Sequence, residues 1–229
     1  MKMIITCRRN SRLSRLEFFD HLRNVHWPLI QRHSNILAAL EGYTQNHALS
    51  ADDSETMMAP FDLAHGRDSV IELFFDGEQG LRRLVETPDY HTYVRPDEAS
   101  FNDLPANIMT MTDPVTVFEA ARRGRCKRFD FITRRSSYDI EQFAECLAEQ
   151  GRRLALDPFY TGHIDKHIHN LSRPSANRDG FGAGRIDCVR ELWAANFNLL
   201  SAVAQRSEMS FADPEKSFSV FATEFVMKA

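Results

Sequence analysis

An internal repeat constrains the fold of this chain more than any other feature. The segment at 68–74 (DSVIELF) returns at 187–193 (DCVRELW), an offset of 119 residues. The arginine pair at 8–9 returns at 134–135, and the segment at 46–49 (NHAL) resembles 168–171 (IHNL). Self-similarity at this spacing is typical of a duplicated supersecondary unit. We therefore predict two modules, residues 1–119 and 127–229, with a linker around residues 120–126.

The hydrophobic pattern assigns the same order of elements to both halves. Apolar residues alternate in the predicted strands and recur at three- and four-residue spacing in the predicted helices. Each half reads as a β-α-β-β-α-β unit. In the first half the predicted strands are 3–7, 42–49, 69–75 and 108–118, with a helix over 14–37 that Ser14 and Glu17 cap, and a second over 78–101 that Pro88 and Pro96 interrupt. In the second half the predicted strands are 127–133, 159–171, 188–193 and 218–227, with helices over 140–156 and 197–206.

Such a unit predicts an α+β fold with a ferredoxin-like module in each half. Its four-stranded antiparallel sheet carries helices on one face only, so the bare face must be covered by apolar material. Two copies in one chain can cover each other by packing sheet against sheet. We therefore expect an intrachain α/β-barrel with the helices outside.

Composition excludes several function classes. The 229 residues are 43% hydrophobic and 26% charged, with a formal net charge of −4, so there is no basic field for a nucleic acid. No apolar run approaches the roughly 20 residues that span a bilayer, and the amino terminus does not resemble a signal peptide. The four cysteines form no CxxC pair. We expect a cytoplasmic protein with reduced thiols, and no nucleic-acid or membrane partner.

The first half resembles the EthD domain, a family of the dimeric α/β-barrel superfamily. The pattern extends over nearly all of residues 2–119, and the second half matches it only in a degenerate form. The residues that carry the resemblance are Arg8-Arg9, Glu17-Phe18, His26-Trp27-Pro28-Leu29, Gly42-Tyr43, Asn46-His47, Val70, Glu72-Leu73-Phe74, Asp76, Thr87-Pro88-Asp89-Tyr90 and Asp97 to Phe101.

This resemblance implies a fold more clearly than a reaction. Relatives in the superfamily include cofactor-independent enzymes that isomerise lactones, cyclise or dehydrate polyketides, or oxygenate phenols. Other relatives bind haem, and two-module chains usually take its proximal histidine from the second module. The predicted helices at 140–156 and 197–206 contain no histidine, so we predict no cofactor.

His26 is the sharpest catalytic candidate. Helical spacing places it on the buried stripe with Phe19, Leu22 and Ile30. It is either a core histidine bonded to a backbone carbonyl or an acid/base that faces a pocket. The second half has Gly151 at the aligned position, so we expect the activity in the first half.

Three further residues complete the predicted catalytic set: Tyr43, His47 and His91. Tyr43, Gln45 and His47 share one strand face, which points either at the first helix or at the partner sheet. His91 lies in the interrupted helix, as a second acid/base or a solvated residue. We expect Phe18, Trp27 and Phe74 to shape a substrate pocket, and the resemblance adds Arg8 and Asn46 as substrate-binding residues.

A second histidine group, His163, His167 and His169, falls on one face of a predicted strand. At i, i+4 and i+6 these rings are too far apart for one metal ion, so we predict no metal site. A polar pocket and plain structure remain open. The loops at 50–66 and 172–184 are long enough to act as lids.

We therefore predict a cofactor-independent lyase or isomerase for a hydrophobic aromatic or polyketide-like carbonyl compound. Two alternatives stay open. One is a cofactor-free monooxygenase acting on an electron-rich phenol, and the other is a non-catalytic small-molecule-binding accessory protein. A homodimer also stays open.

Overall fold

The computed structural model describes residues 1–173, 186–206 and 209–229. Of the two predicted lid loops, the one at 172–184 therefore falls almost wholly outside the described residues. No helix in these ranges is long and apolar enough to cross a membrane.

The first half runs strand, helices, strand, strand, helices, strand, as the periodicity predicted. Its strands are β1 (Lys2–Cys7), β2 (Gly42–Ala48), β3 (Ser69–Phe74) and β4 (Ile108–Glu119), and its helices are α1 (Arg15–His21), α2 (Trp27–Arg32), α3 (Ser34–Ala39), α4 (Ala51–Ser54), α5 (Gly77–Glu86) and α6 (Arg95–Phe101). The predicted cap is confirmed, because Ser14 Oγ accepts from the Glu17 amide and Glu17 accepts from the Ser14 amide at 2.7 Å.

The second half repeats this order with one correction. Its strands are β5 (Cys126–Ile132), β6 (Lys166–Ser172), β7 (Cys188–Ala194) and β8 (Phe218–Lys228), and its helices are α7 (Ile140–Ala155), α8 (Pro158–His163) and α9 (Phe197–Ala202). The predicted strand over 159–171 was wrong in its first half. Asp157 caps α8 by accepting from the Phe159 amide, and Pro158 suits the first helical turn.

All eight strands form one closed antiparallel barrel, in the order β1-β3-β2-β8-β5-β7-β6-β4. Each half contributes four consecutive strands. The two halves join edge to edge, through β2 with β8 and through β4 with β6. The intrachain barrel is thus confirmed, but its sheets share their edges instead of only stacking. Closure leaves no sheet edge unpaired among these strands.

The barrel interior combines an apolar layer with a charged one. Ile4, Val70, Phe129 and Val189 are fully buried in one cluster. Beside them Lys2 pairs with Glu72 at 2.5 Å and with Glu191, and Lys127 pairs with the same two carboxylates and with Glu224. Asn46 and its counterpart Asn170 donate to Glu72 and Glu191 at 2.7 and 2.8 Å. The two halves therefore meet around a nearly symmetric network of buried charges.

The helical layer of the first half contains two wide turns. π-Helical turns span Leu22–His26 and Tyr90–Val94, and each is followed within two residues by a proline. Proline offers no backbone N–H, so an ordinary α-turn would leave an acceptor unpaired there. Pro28 and Pro96 therefore do not break their helices. The break comes at Pro88, because α5 ends at Glu86.

Candidate functional site

A cavity of about 540 Å³ lies between the outer face of the first-half sheet and the helices that cover it. Most of its wall is aliphatic and comes from β1, β3, β4, α2, α3 and α5. Its volume falls within the range of small-molecule sites. The polar side chains that line it are Cys7, His26, Tyr43, Tyr90, His91, Arg95, Glu98, Asn102 and Asn107.

His26 reaches this wall from the wide turn that precedes Pro28. The residue is 6% exposed, and its Nδ1 lies 2.7 Å from Oδ2 of Asp97 on α6. A carboxylate can only accept, so Nδ1 carries the proton and Nε2 is left as the basic nitrogen. Within the described residues Nε2 has no hydrogen-bond partner. The cavity side of the ring is therefore free for a ligand.

Asp97 holds two histidines at once. Its second oxygen, Oδ1, lies 2.8 Å from Nε2 of His21, and the Phe101 ring packs against both imidazoles. Burial raises the pKa of Asp97, but the hydrogen bonds from His26 and His21 outweigh burial and hold it below its ordinary value. Asp97 is thus an ionised carboxylate that fixes the tautomer and orientation of His26 and can stabilise its imidazolium.

Tyr43 lines the same cavity from β2. Its hydroxyl accepts from Gln45 Nε2 at 3.3 Å, and Gln45 also donates to the Leu22 carbonyl at 3.0 Å. This strand face therefore points at the first helix, which was one of the two orientations open from sequence. Burial raises the pKa of Tyr43 well above its ordinary value, so the hydroxyl keeps its proton. It can donate to an oxygen of a bound molecule.

Glu98 is a second carboxyl at this wall. Tyr90 donates to Oε2 at 3.2 Å, and the Arg95 guanidinium lies 3.3 Å from the same oxygen. Burial raises the pKa of Glu98 in spite of the nearby His26 and Arg95. The site thus combines an ionised carboxylate, Asp97, with a carboxyl that holds its proton more tightly.

His91 lies at the exposed rim of the cavity. Its Nε2 lies 2.6 Å from the Val85 carbonyl, which can only accept, so Nε2 is the donor. The structure places this candidate beside the opening and away from the Asp97 carboxylate.

Several predicted site residues lie outside the cavity. His47 packs its ring between Phe19 and Phe225, at 4.2 and 4.5 Å between centroids, and does not line the cavity wall. Burial and the neighbouring Arg23 and Arg15 lower the pKa of His47 to about 4. Tyr43 and His47 lie on the same face of β2, but His47 is four residues further along the strand, outside the cavity lining.

The predicted substrate-binding residues also fall outside the lining. Phe18 is fully buried and packs against Phe101. The Trp27 ring packs against the Tyr43 ring, with 5.3 Å between their centroids. Asn46 and Phe74 face the barrel interior, because strand alternation sends them to the opposite side of the sheet. Arg8 is exposed and pairs with Asp103. These five shape the site only through the residues they support.

The sequence did not predict a role in the site for Asp97 or Glu98. Both stood within the EthD-like pattern, which was the available signal. Asp97 is 71 residues from His26 along the chain. Only the packing of α6 against the first helix brings them together.

The 50–66 loop is not a lid over this cavity. Its Met57 and Phe61 pack against cores of the second half, and Leu63 forms a bridge to Ser219 on β8. These apolar residues of the loop therefore pack the first half against the second.

The second-half histidines do not share one surface. His163 ends α8, partly exposed, with Nδ1 at 2.7 Å from the Phe159 carbonyl. His167 and His169 are buried on β6, with their Nε2 atoms 2.9 Å apart and His167 Nδ1 at 3.0 Å from the Tyr160 hydroxyl. Within the described ranges no group of three or more histidine, cysteine, aspartate or glutamate side chains could hold a metal ion.

The buried pair, His167 and His169, does not fit the needs of a haem ligand. The buried pair is engaged with itself and with Tyr160. A Cβ at Gly151 would lie 3.2 Å from His169 Cε1, so α7 already touches this ring. His163 differs: it lies on α8, which the sequence did not predict, and its Nδ1 donates to the Phe159 carbonyl, so this contact does not occupy Nε2.

Comparison with known proteins gives a family for the first half and a fold for the whole. Residues 10–105 match the family model of the EthD domain. No curated protein matches the chain in sequence.

Three solved structures superimpose over nearly the full length. A candidate monooxygenase from Lactobacillus acidophilus NCFM has a TM-score of 0.54 at 9% identity, covering 98% of this chain and 94% of its own. An anthrone oxidase-like protein has a TM-score of 0.57 at 8% identity, covering 100% and 93%. A mutant chlorite dismutase from Candidatus Nitrospira defluvii has a TM-score of 0.54 at 9% identity, covering 97% and 90%. At such low identity the likeness shows the fold alone.

Proposed function

We propose that this chain, which carries an EthD domain at residues 10–105, is an enzyme that transfers protons on a neutral, hydrophobic carbonyl compound bound in the first-half cavity. The reaction class is that of a lyase or isomerase. The observation that carries the proposal is the contact of His26 with Asp97 at 2.7 Å in the wall of an otherwise apolar cavity. A pocket with a few convergent polar groups is the usual arrangement of a small-molecule site.

The proposed step begins with His26 Nε2. It removes a proton from a carbon next to the substrate carbonyl, and the electrons of the C–H bond pass into an enolate. The Tyr43 hydroxyl donates a hydrogen bond to the enolate oxygen, while Asp97 stabilises the imidazolium. Return of the proton to another carbon isomerises the compound. Its delivery to a β-hydroxyl group, which leaves as water, dehydrates the compound.

Glu98 is suited to be the second proton carrier. Because burial raises its pKa, a fraction of this carboxyl keeps its proton at pH values where Asp97 is fully ionised. An acid and a base whose environments separate their pKa values are the pair that such chemistry needs. His26 would then receive protons, and Glu98 would supply them.

The charges of the wall indicate a neutral substrate. While Glu98 is ionised, His26 is matched by Asp97 and Arg95 by Glu98, so the described wall has no spare cation for a carboxylate or phosphate ligand. Aliphatic side chains make up most of the remaining wall. A polycyclic ketone or phenol fits this description better than an anionic metabolite.

The alternative is oxygenation without a cofactor. Two structures with the same fold are named as a candidate monooxygenase and as an anthrone oxidase-like protein. The first step would again be removal of a proton, because a phenol then gives a phenolate and anthrone an enolate, and either electron-rich anion can reduce oxygen. A non-catalytic binding role would not require the contact between His26 and Asp97.

Anthrone is a suitable probe, because it is a neutral tricyclic ketone whose methylene protons are acidic. Under nitrogen in D2O, we expect the protein to accelerate exchange of these protons, measured by NMR, with no net oxidation. In air, oxygen uptake that depends on the protein would favour the oxygenase. Binding of anthrone with no acceleration of either process would leave only the accessory role.

Three further expectations stay proposals. Each half, residues 1–119 and 127–229, is taken as a ferredoxin-like module, supported by the equivalent strand orders β4-β1-β3-β2 and β8-β5-β7-β6. Cytoplasmic residence and a homodimer rest on the sequence reasoning given above.

A further inference from the structure

The second half carries a buried charged cluster where the first half has its cavity. The strand registers match, since Lys2 pairs with Phe74 in the first half as Lys127 pairs with Trp193 in the second. By the same registers, the neighbouring cavity residues Ile5 and Ile71 correspond to Asp130 and Arg190, and Met3 corresponds to Arg128. Hence three aliphatic wall residues of the first half correspond to two guanidinium groups and one carboxylate.

This cluster, Arg128, Asp130 and Arg190, is completely buried. Arg190 contacts Asp130 Oδ2 through Nε at 2.9 Å and Nη2 at 2.7 Å. Arg128 contacts Asp130 at 3.2 Å and donates through Nη1 to the Leu200 carbonyl at 2.7 Å. The other Asp130 oxygen accepts from Ser219 at 2.7 Å. One carboxylate therefore serves two cations.

Among the described residues, no side chain around the cluster supplies a second negative charge. The described side chains packed against it from α8, β6 and β8 are Tyr160, His167, His169 and Ser219. Burial raises the pKa of Tyr160 above its ordinary range and lowers that of His169 to about 3, so both are neutral. Tyr160 and His167 are hydrogen-bonded at 3.0 Å, and His167 and His169 at 2.9 Å, so these side chains are engaged with one another and supply no negative charge.

Terminal guanidinium nitrogens of the cluster also lack a hydrogen-bond partner among the described residues. Arg128 Nη2 and Arg190 Nη1 are buried without a hydrogen bond, and Arg190 Nη2 contacts Asp130 without hydrogen-bond geometry. A buried cation without a matching anion is strongly unfavourable, and buried N–H donors are nearly always satisfied. Excess positive charge and unpaired donors thus occur in the same two side chains.

We propose that the second half binds one small monovalent anion, of the size of chloride, nitrate or formate, at Arg128 and Arg190. Because the three side chains have no accessible surface, the guanidinium groups must shift to admit the ion, which then neutralises the cluster and accepts from their N–H groups. The two halves of the barrel then hold different ligands, a neutral hydrophobic molecule in the first and an inorganic or one-carbon anion in the second. This assignment is independent of the reaction proposed for the first half.

The test is thermal unfolding of the full chain at constant ionic strength. Sodium gluconate, whose anion is too large for the cluster, is replaced stepwise by chloride, bromide, nitrate or formate. We expect a saturable rise in Tm with at least one small anion, of about 5–10 °C at a hundredfold excess over its Kd. The Arg190→Met and Arg128→Met variants, which leave one cation for Asp130, should lose this rise. The exposed Arg12→Met variant should keep it.

Two results would overturn the site. One is a wild-type Tm that does not respond to any of the four anions, which would mean that only water completes the cluster. The other is an equal rise in the Arg190→Met or Arg128→Met protein, which would place the effect at the surface. If both variants fail to fold, crystals of the wild type grown in bromide decide the question. Anomalous density at the two guanidinium groups supports the site, and its absence there rejects it.

Discussion

His26 depends on a small number of neighbours for its chemical character. Asp97 fixes its tautomer, and the Phe101 ring limits its rotation. Sequence spacing alone predicted that this histidine is buried on the helix face. It could not predict Asp97 as the partner, because the two residues meet only through tertiary packing. The same limit explains His47, whose strand parity was predicted but whose position beyond the cavity end was not.

Replacing Asp97 by Asn tests this dependence. Asn offers an amide that can hold His26 in the wrong tautomer and cannot stabilise the imidazolium. We expect anthrone exchange to fall by about 10²–10⁴-fold, while anthrone binding and Tm stay close to wild type. Asp103→Asn, which removes only an exposed pair with Arg8, should leave the exchange rate unchanged. Equal rates in the two variants would show that Asp97 has no part in the step.

His169 gives a prediction about acid stability. Burial lowers its pKa to about 3 in the folded chain, against about 6.5 when unfolded. Below about pH 6.5 the unfolded chain takes up a proton that the folded chain refuses, so stability falls as the pH falls toward 3. Between about pH 7 and pH 5 this histidine costs about 2 kcal/mol.

The measurement is the unfolding free energy at both pH values. His169→Gln should lose about 2 kcal/mol less than the wild type over this interval. His163→Gln, at the partly exposed end of α8, should behave as wild type. An unchanged loss in His169→Gln would mean that the ring is already protonated in the folded chain.

At the scale of elements, local signals decide most of the helices and strands. Alternation predicted β2, β3, β5 and β7 closely, and the capping box predicted the start of α1. The exception was α8, which Asp157 and Pro158 begin and which was predicted from the sequence as part of a strand over 159–171. The wide turns before Pro28 and Pro96 could not be predicted, because proline also breaks helices, as it does at Pro88.

Ser14 tests the start of the helix that carries His26. Its hydroxyl and the Glu17 carboxylate satisfy two backbone N–H groups that the first turn leaves free. Ser14→Ala should destabilise the protein by about 1 kcal/mol and lower Tm by about 2–4 °C in thermal melts. The exposed Ser11→Ala is the matched control and should change neither. A Ser14→Ala protein as stable as the control would mean that the box adds nothing.

At the scale of the whole molecule, the two halves are fastened from inside. The duplication predicted that one chain would suffice for the barrel. The side chains that meet in the centre of the barrel depend on the register of the paired strands. The sequence pattern does not define this register, so it could not predict the Lys2–Glu72–Lys127–Glu191 network. Lys127 touches three carboxylates, more than any other cation of that network.

Removing Lys127 should therefore destabilise the contact between the two halves. Lys127→Met leaves Lys2 as the cation between buried Glu72 and Glu191, and leaves Glu224 with only the half-exposed Arg123. The expected cost is about 3–5 kcal/mol, or a fall in Tm of roughly 10 °C, because unpaired buried charges are left behind. Lys166→Met, which breaks a pair with exposed Glu119, should cost less than about 1 kcal/mol. Similar Tm values for the two variants would show that the interior network does not hold the halves together.

The central claim is that His26 moves the proton, and its most direct test is anaerobic anthrone exchange by the His26→Gln variant. Glutamine has nearly the volume of histidine and can hydrogen-bond to Asp97, but it cannot carry a proton near neutral pH. With folding checked by Tm and binding checked by titration, the account predicts a rate about 10²–10⁴-fold below wild type, and a wild-type rate for His163→Gln. A folded, anthrone-binding His26→Gln protein that exchanges at the wild-type rate would contradict it.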